Sequence, residues 1–165
     1  MEDAIRVTIQ VNAGVLPGHP LKMINQLKQT NMDIKQTMQE IHSNNREKGF
    51  WDKERNTGEM LMLVVSELSE ALEADRKDKR ADLDSFGLKT WTNQVDGRTM
   101  TNEEMDARFK KVFADTVKDG FEDELADAVI RLFDIAEGMK IDLEWHIRAK
   151  MRYNSMREKM HGKAY

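Results

Sequence analysis

Apolar residues recur along this chain with two different periods. Residues 5–11, IRVTIQV, alternate apolar with polar side chains, which predicts a short strand or extended arm before a connector rich in glycine and proline. From about residue 31 the spacing changes to three and four, the period of an amphipathic helix. Because both prolines lie before residue 21, no later position is obliged to break a helix.

The helical period predicts four main helices. The first covers about 31–48 and ends at Gly49, the second covers 57–76, the third spans roughly 119–139, and the last begins near Asp142 and continues into the tail. Two of these helices carry a continuous apolar stripe: Leu61, Val65, Leu68 and Leu72 on the second, and Leu125, Val129, Leu132 and Ala136 on the third. We expect both stripes to face the core.

Residues 77–118 interrupt this pattern with residues typical of turns, and predict one helix from Thr101. We interpret them as an insertion lying over the core. The expected fold is therefore all-α, an antiparallel bundle of four main helices completed by oligomerisation. The extended arm and connector would occupy residues 1–30, and the helical domain residues 31–165.

Composition excludes several classes of function. The chain has 26 basic and 30 acidic residues, and a net charge of −4 offers no broad surface for DNA. The absence of cysteine excludes thiol catalysis, iron–sulfur clusters and zinc held by cysteine. No stretch approaches the ~20 apolar residues of a membrane span, so we expect a cytoplasmic protein without membrane partners.

Two pairs of acidic residues carry the candidate chemistry. Glu67 and Glu70 lie three residues apart beside the stripe of the second helix, and Glu124 and Asp127 repeat this spacing on the third. If these helices pack antiparallel, four carboxylates converge, and their repulsion would require either protonation or a bound cation. An all-oxygen ligand set suits Mg²⁺, and also Mn²⁺, and magnesium held in this way is typical of phosphate chemistry. The alternative is that both pairs are solvated helix faces, which arise easily by chance.

Two further features fit a nucleotide ligand. Lys150, Asn154 and Arg157 form a stripe of hydrogen-bond donors on the last helix, continued by His161, which can hold a polyphosphate; alternatively it is a solvated basic face. Trp51, in the link between the first two helices, is either a base-stacking platform or a packing anchor.

The segments GFWDKERNTGEMLMLVVSELSEALEADR and FEDELADAVIRLFDIAE resemble the MazG-like all-α nucleoside triphosphate pyrophosphohydrolases. The family signature, E-x-x-E followed by E-x-x-D, is matched by Glu67, Glu70, Glu124 and Asp127. The closing K-x-x-x-N-x-x-R pattern of many small members is matched as well, by Lys150, Asn154 and Arg157.

This resemblance implies a homodimer or homotetramer that uses Mg²⁺ to cleave a (deoxy)nucleoside triphosphate between its α and β phosphates, releasing a nucleoside monophosphate and pyrophosphate. The signature residues become metal ligands, and Glu67 or Glu70 orients or deprotonates the attacking water. The tail residues become phosphate contacts. Trp51 lies where related deoxycytidine triphosphate pyrophosphatases place a base-stacking tryptophan.

One departure from the family pattern concerns substrate choice. Residues 71–123 separate the two halves of the signature, a longer interval than in many members. This insertion would either cover the pocket, with Trp91 or Arg98 reaching a base, or serve a subunit interface. Two alternative functions also stay open, a pyrophosphohydrolase acting on phosphoribosyl-ATP and a non-catalytic helical interaction module.

Overall fold

The computed structural model describes residues 32–90 and 93–158. Within these ranges it contains six helices and one small β-hairpin, which confirms the all-α class. The elements are α1 (Ile34–Glu47), α2 (Thr57–Arg76), α3 (Leu83–Thr90), β1 (Gln94–Val95), β2 (Arg98–Thr99), α4 (Asn102–Thr116), α5 (Phe121–Gly138) and α6 (Leu143–Ser155). The strand predicted over 5–11, and the whole predicted arm and connector of residues 1–30, lie outside the described residues.

Local capping residues set the helix boundaries. Asp33 caps α1, its carboxylate accepting from the amide of Gln36, and Asn56 caps α2 in the same way through Gly58. After α1, Gly49 adopts a φ of +79° and its amide donates to the carbonyl of Arg46. Only glycine takes this conformation without strain, so the predicted stop at Gly49 has a physical basis.

Helix α5 is the centre of the packing. It packs against α2 on one side and α1 on another, whereas α6 makes a smaller contact with α1 and contains no buried residue. Helices α2 and α5 run antiparallel, because Arg131 pairs with Glu67 while, farther along, the amide of Phe121 donates to the carbonyl of Lys79 at 3.0 Å. The expected antiparallel pair is therefore present.

The predicted apolar stripes do not face the core of the described chain. On α2 the buried positions are Met60, Val64, Glu67, Ala71 and Ala74, whereas the predicted stripe lies one position further along and is about half exposed: Leu61 48%, Val65 47%, Leu68 47% and Leu72 50%. The prediction was wrong because it placed the largest side chains inside. Small alanines at the contact instead allow the two backbones to approach closely.

The predicted stripe of α5 behaves similarly. Leu125, Val129 and Leu132 are 39–47% exposed, and only Ala136 is buried as expected. Each stripe residue of α2 immediately follows a buried one, and Leu125 and Val129 of α5 do the same. Antiparallel packing turns these positions to the same side of the pair. We call the combined surface of these residues the apolar face: Leu61, Val65, Leu68, Leu72, Leu125, Val129 and Leu132.

The insertion forms a small packing unit of its own. Helices α3 and α4 pack together through the rings of Phe86, Phe109 and Phe113, whose centroids are 5.6–6.4 Å apart. Between them, Asp96 and Gly97 both have positive φ, the conformation of the two-residue turn that joins β1 to β2. Helix α3 was not predicted, because Asp82, Asp84 and Gly87 suggested turns.

Helix α4 begins near the predicted position because Thr101 and Glu104 form a reciprocal capping box. The same glutamate also pairs with Arg98, whose Nη1 and Nη2 lie 2.8 and 2.6 Å from its two carboxylate oxygens. Arg98 is thus paired within the insertion. Trp91 lies outside the described residues. A search of the described helices finds none with the length and apolar character needed to cross a bilayer.

Candidate metal centre

Three of the four predicted ligands meet between α2 and α5. Glu67 on α2 and Glu124 and Asp127 on α5 each offer a carboxylate oxygen, and these oxygens all lie within 4.8 Å of one another. Glu67 and Glu124 are buried, whereas Asp127 is exposed. We call these three residues the carboxylate group. Carboxylate oxygens at this separation could together hold a metal ion.

The electrostatics of the carboxylate group reflect this crowding. Burial, followed by the nearby charge of Glu70 and by a hydrogen bond to Glu67, raises the pKa of Glu124 to about 7. Partial desolvation, together with the charges of Asp123 and Glu67, raises the pKa of Asp127 as well. Glu124 lies in the first turn of α5, where the helix dipole favours negative charge but does not cancel the repulsion.

Glu70, the fourth predicted ligand, lies beside the carboxylate group. It is exposed on α2, is not among the three residues whose oxygens converge, and accepts a long hydrogen bond of 3.4 Å from the hydroxyl of Ser66. Its charge nevertheless contributes to the raised pKa of both Glu124 and Asp127. It is therefore close enough to act on the carboxylate group electrostatically.

A second acidic set adjoins the first. Asp119, Asp123 and Glu124 also offer oxygens within 4.8 Å of one another. Asp119, however, already pairs with Lys118 and, at 3.6 Å, with Lys79, and these positive charges lower its pKa. The carboxylate group is thus the better cation site of the two.

Arg131 is a functional candidate that the sequence analysis missed. It lies one turn after Asp127, and its Nε and Nη2 atoms are 2.6 and 2.5 Å from Oε1 of Glu67. The signal for it was the four-residue spacing from Asp127, which puts both side chains on the same face of the helix.

A cavity of about 200 Å³ opens next to the carboxylate group. Asp127 and Arg131 form part of its wall, and the rest is mostly apolar or aromatic: Asn45, Phe50, Trp51, Arg55, Met60, Leu63, Ile130, Asp134 and Ile135. A site lined by both carboxylates and aromatic rings suits a ligand with a charged and a planar part.

Trp51 is held firmly at this cavity. Its indole Nε1 donates to the carboxylate of Asp134 at 3.0 Å, and its ring packs edge-on against His42 with centroids 4.8 Å apart. A Cβ added to Gly138 would lie 2.3 Å from Cη2 of Trp51, so glycine there makes room for the ring. Helix α5 ends at Gly138 itself, and Lys140 just after it adopts a left-handed φ of +57°.

Asp134 organises this part of the cavity. Besides Trp51, its carboxylate receives Nδ2 of Asn45 at 2.8 Å and contacts Nδ1 of His42 at 2.7 Å. The sequence offered no signal for this contact, because its partners lie about 90 positions earlier in the chain.

The three predicted phosphate contacts lie on or just after α6, and not on the two helices that carry the carboxylate group. Lys150 and Asn154 are exposed on α6, and Arg157 is exposed after the helix has ended at Ser155, earlier than predicted. Lys150 and Arg157 both lie over the ring of Tyr153. Among the described residues, none of the three hydrogen-bonds or pairs with the carboxylate group, and His161 lies outside those residues.

Comparison with known proteins assigns the chain to no family. No family model, curated protein or solved structure matches it. The function is therefore argued from the geometry of the carboxylate group and its adjoining cavity, and from the sequence resemblance.

Proposed function

We propose that this protein hydrolyses (deoxy)nucleoside triphosphates between the α and β phosphates in a Mg²⁺-dependent reaction, giving a nucleoside monophosphate and pyrophosphate. The observation that carries the proposal is that the carboxylate group, with two buried members, adjoins a cavity walled partly by aromatic rings, because Asp127 belongs to the group and also lines the cavity. The resemblance to MazG-like pyrophosphohydrolases supports the choice of bond. Neither feature alone would select a nucleotide.

The carboxylate group is the proposed binding site for Mg²⁺, through one oxygen each of Glu67, Glu124 and Asp127. A magnesium ion there would neutralise phosphate charge and make a bound water more acidic. Glu70 lies outside the converging oxygens but near them, which suits the predicted role of orienting or deprotonating the attacking water. Glu67, held by Arg131, is positioned as a ligand and is the less suitable of the two for that role.

The cavity is proposed to hold the base or the sugar. Its volume of about 200 Å³ is below the roughly 300–1,000 Å³ of pockets that enclose whole ligands. The triphosphate would therefore lie outside the cavity, over the carboxylate group. Trp51, fixed by Asp134, offers a rigid ring at the wall, and base stacking on this ring stays part of the proposal.

Assembly is the second part of the proposal. The apolar face leaves seven large side chains 39–50% exposed, a surface that isolated soluble domains seldom present. Homodimer or homotetramer formation would bury it. Glu70 and Asp127 each follow a buried glutamate by three positions, so they point to the opposite side of the helix pair, and a copy bound at the apolar face leaves the carboxylate group open.

The tail residues enter the proposal through the sequence resemblance. Since Lys150, Asn154 and Arg157 do not contact the carboxylate group, the resemblance alone supports their proposed role as phosphate contacts. Lysine and arginine would then neutralise charge on the side of the substrate away from the metal.

The direct test incubates the purified protein with Mg²⁺ and a panel of ribo- and deoxyribonucleoside triphosphates, with phosphoribosyl-ATP included. We expect pyrophosphate and a nucleoside monophosphate from at least one triphosphate. Glu124→Gln, which keeps side-chain size, should abolish turnover, whereas Glu73→Gln, at an exposed position of α2 that pairs with Lys77, should not. Release of orthophosphate, or no turnover with any member of the panel, would contradict the proposal.

A further inference from the structure

Arg131 stands between the carboxylate group and the cavity. Its guanidinium contacts Glu67 through two nitrogens, both directed at Oε1. The arginine side chain is 40% exposed, whereas that of Glu67 is 9% exposed. Arg131 also lines the cavity together with Asp127. One long side chain thus joins a buried carboxylate to an open binding space.

We propose that Arg131 couples metal binding to nucleotide binding, opposing a free divalent cation at Glu67 and pairing with a phosphate when a nucleotide is present. This inference rests on the proposed function. Through this coupling, Arg131 makes the site selective for a metal–nucleotide complex over the metal alone.

The first step of the inference is competition for Glu67. The arginine engages an oxygen of a residue that must also coordinate the cation, and two positive charges at such short range repel one another. Burial of Glu67 weakens screening by solvent, so the repulsion persists at ordinary ionic strength. Arg131 therefore lowers the affinity of the carboxylate group for a cation that arrives without an anion.

The second step is the alternative partner. A triphosphate in front of the carboxylate group offers several anionic oxygens, and the planar guanidinium pairs with two phosphate oxygens at once. Because Arg131 is partly exposed and reaches the cavity wall, rotation about its side-chain bonds can carry it from Glu67 to a ligand without a shift of α5. A bound nucleotide would thus change the effect of Arg131 on ligand binding, from repulsion of the free cation to attraction of the phosphates.

A purely structural role makes the opposite prediction for the metal. If Arg131 only fixed the orientation of Glu67, its removal would loosen a ligand and weaken binding of the metal alone. The direction of the change in metal affinity therefore separates the two roles, independently of catalysis.

The test measures binding of MgCl₂ alone by isothermal titration calorimetry to the wild type and to Arg131→Gln, which removes the charge and keeps most of the length. We expect the dissociation constant for the metal to fall roughly three- to tenfold in Arg131→Gln and to change little in Arg131→Lys. The matched control is Arg148→Gln, which breaks an exposed Arg–Glu pair on α6 and should leave the constant unchanged. Circular dichroism verifies that each variant is folded.

A second arm adds a non-hydrolysable α,β-methylene nucleoside triphosphate in the presence of Mg²⁺. Its affinity should fall at least about tenfold in Arg131→Gln, with Arg131→Lys intermediate. Metal affinity that is equal or weaker in Arg131→Gln than in the wild type would overturn the inference, as would unchanged nucleotide affinity.

The outcomes also separate this inference from the proposed function. If the wild type hydrolyses no nucleotide, the proposed function fails, while the metal-only arm still decides whether Arg131 opposes the cation. If hydrolysis occurs but Arg131→Gln does not bind metal more tightly, the inference about Arg131 fails alone. Absence of metal binding to both proteins overturns both.

Discussion

At the scale of single residues, Glu124 dominates the behaviour of the candidate site. It is a buried carboxyl on the first turn of α5, facing Glu67 and near Glu70, and its pKa is about 7 instead of the ordinary 4.5. In the absence of a cation it keeps its proton up to neutral pH. A metal ligand must give up that proton, so metal affinity is expected to decline as the pH falls below about 7.

This raised pKa predicts how stability depends on pH. Between pH 4.5, where an unfolded glutamate titrates, and about 7, the folded chain holds a proton at Glu124 that the unfolded chain has lost. The stabilisation is thus complete below 4.5 and disappears as the pH rises through 7. Asp127, whose pKa is also raised, acts in the same direction.

Thermal unfolding in a chelating buffer measures this effect. We expect the melting temperature of the wild type to decrease from about pH 5 to pH 7.5 and saturating Mg²⁺ to reverse the trend. Glu124→Gln should flatten the profile, whereas Glu73→Gln, at an exposed carboxylate whose pKa is lowered by Lys77, should retain it. A wild-type melting temperature that is constant or rises across this window would contradict the assigned protonation of Glu124.

At the scale of elements, local signals predicted more than long-range ones. The bounds of α2 were predicted to the residue, and those of α1 and α5 within a few positions. These bounds are predictable because helix caps and the helical period depend on residues close together in the sequence. The side of α2 and α5 predicted to face the core was wrong, since the buried side of a helix depends on what packs against it. Contacts such as that of Asp134 with His42 join distant positions and have no local signature.

The same distinction applies to the candidate site. The three-residue spacing and the antiparallel arrangement of two helices predicted that these carboxylates meet, and three of the four do so. Glu70 shares the spacing, but its oxygens are not among those that converge. Arg131 was missed because its pairing with Glu67 joins positions 64 residues apart and has no local signature.

The insertion offers a test at this scale. Its ends meet, since the amide of Asp82 donates to the carbonyl of Thr116 at 2.8 Å, and its aromatic cluster packs between its own helices. We expect replacement of residues 83–115 by a Gly-Ser linker of about four residues to leave a folded helical protein whose melting temperature still rises with Mg²⁺. Circular dichroism and thermal unfolding check this result. Loss of helical structure in α1, α2 and α5, or of the response to Mg²⁺, would show that the insertion supports the core.

At the scale of the whole molecule, the described chain has a thin core. Its ten buried apolar residues include four alanines, while many larger apolar side chains remain exposed. The apolar face gathers seven of these on one side of the α2–α5 pair, and burial of such area against a second copy is strongly favourable. We therefore expect the protein to be oligomeric.

Size-exclusion chromatography with light scattering measures this directly. The wild type should have a mass at least twice the 19.2 kDa of one chain, and Leu68→Lys, in the apolar face, should reduce it to that of a monomer. Leu88→Lys, at an exposed leucine of α3 outside this face, is the matched control and should not change the mass. A monomeric wild type, or a Leu68→Lys variant with the wild-type mass, would contradict the proposed assembly.

Anomalous diffraction from crystals soaked in Mn²⁺ shows whether Glu67, Glu124 and Asp127 bind one divalent cation between α2 and α5. We expect an anomalous difference peak within coordination distance of all three carboxylates, absent in Glu124→Gln and retained in Glu73→Gln. Crystals that show no peak between the two helices, or carboxylates that point apart into solvent, would show that these residues do not share a cation.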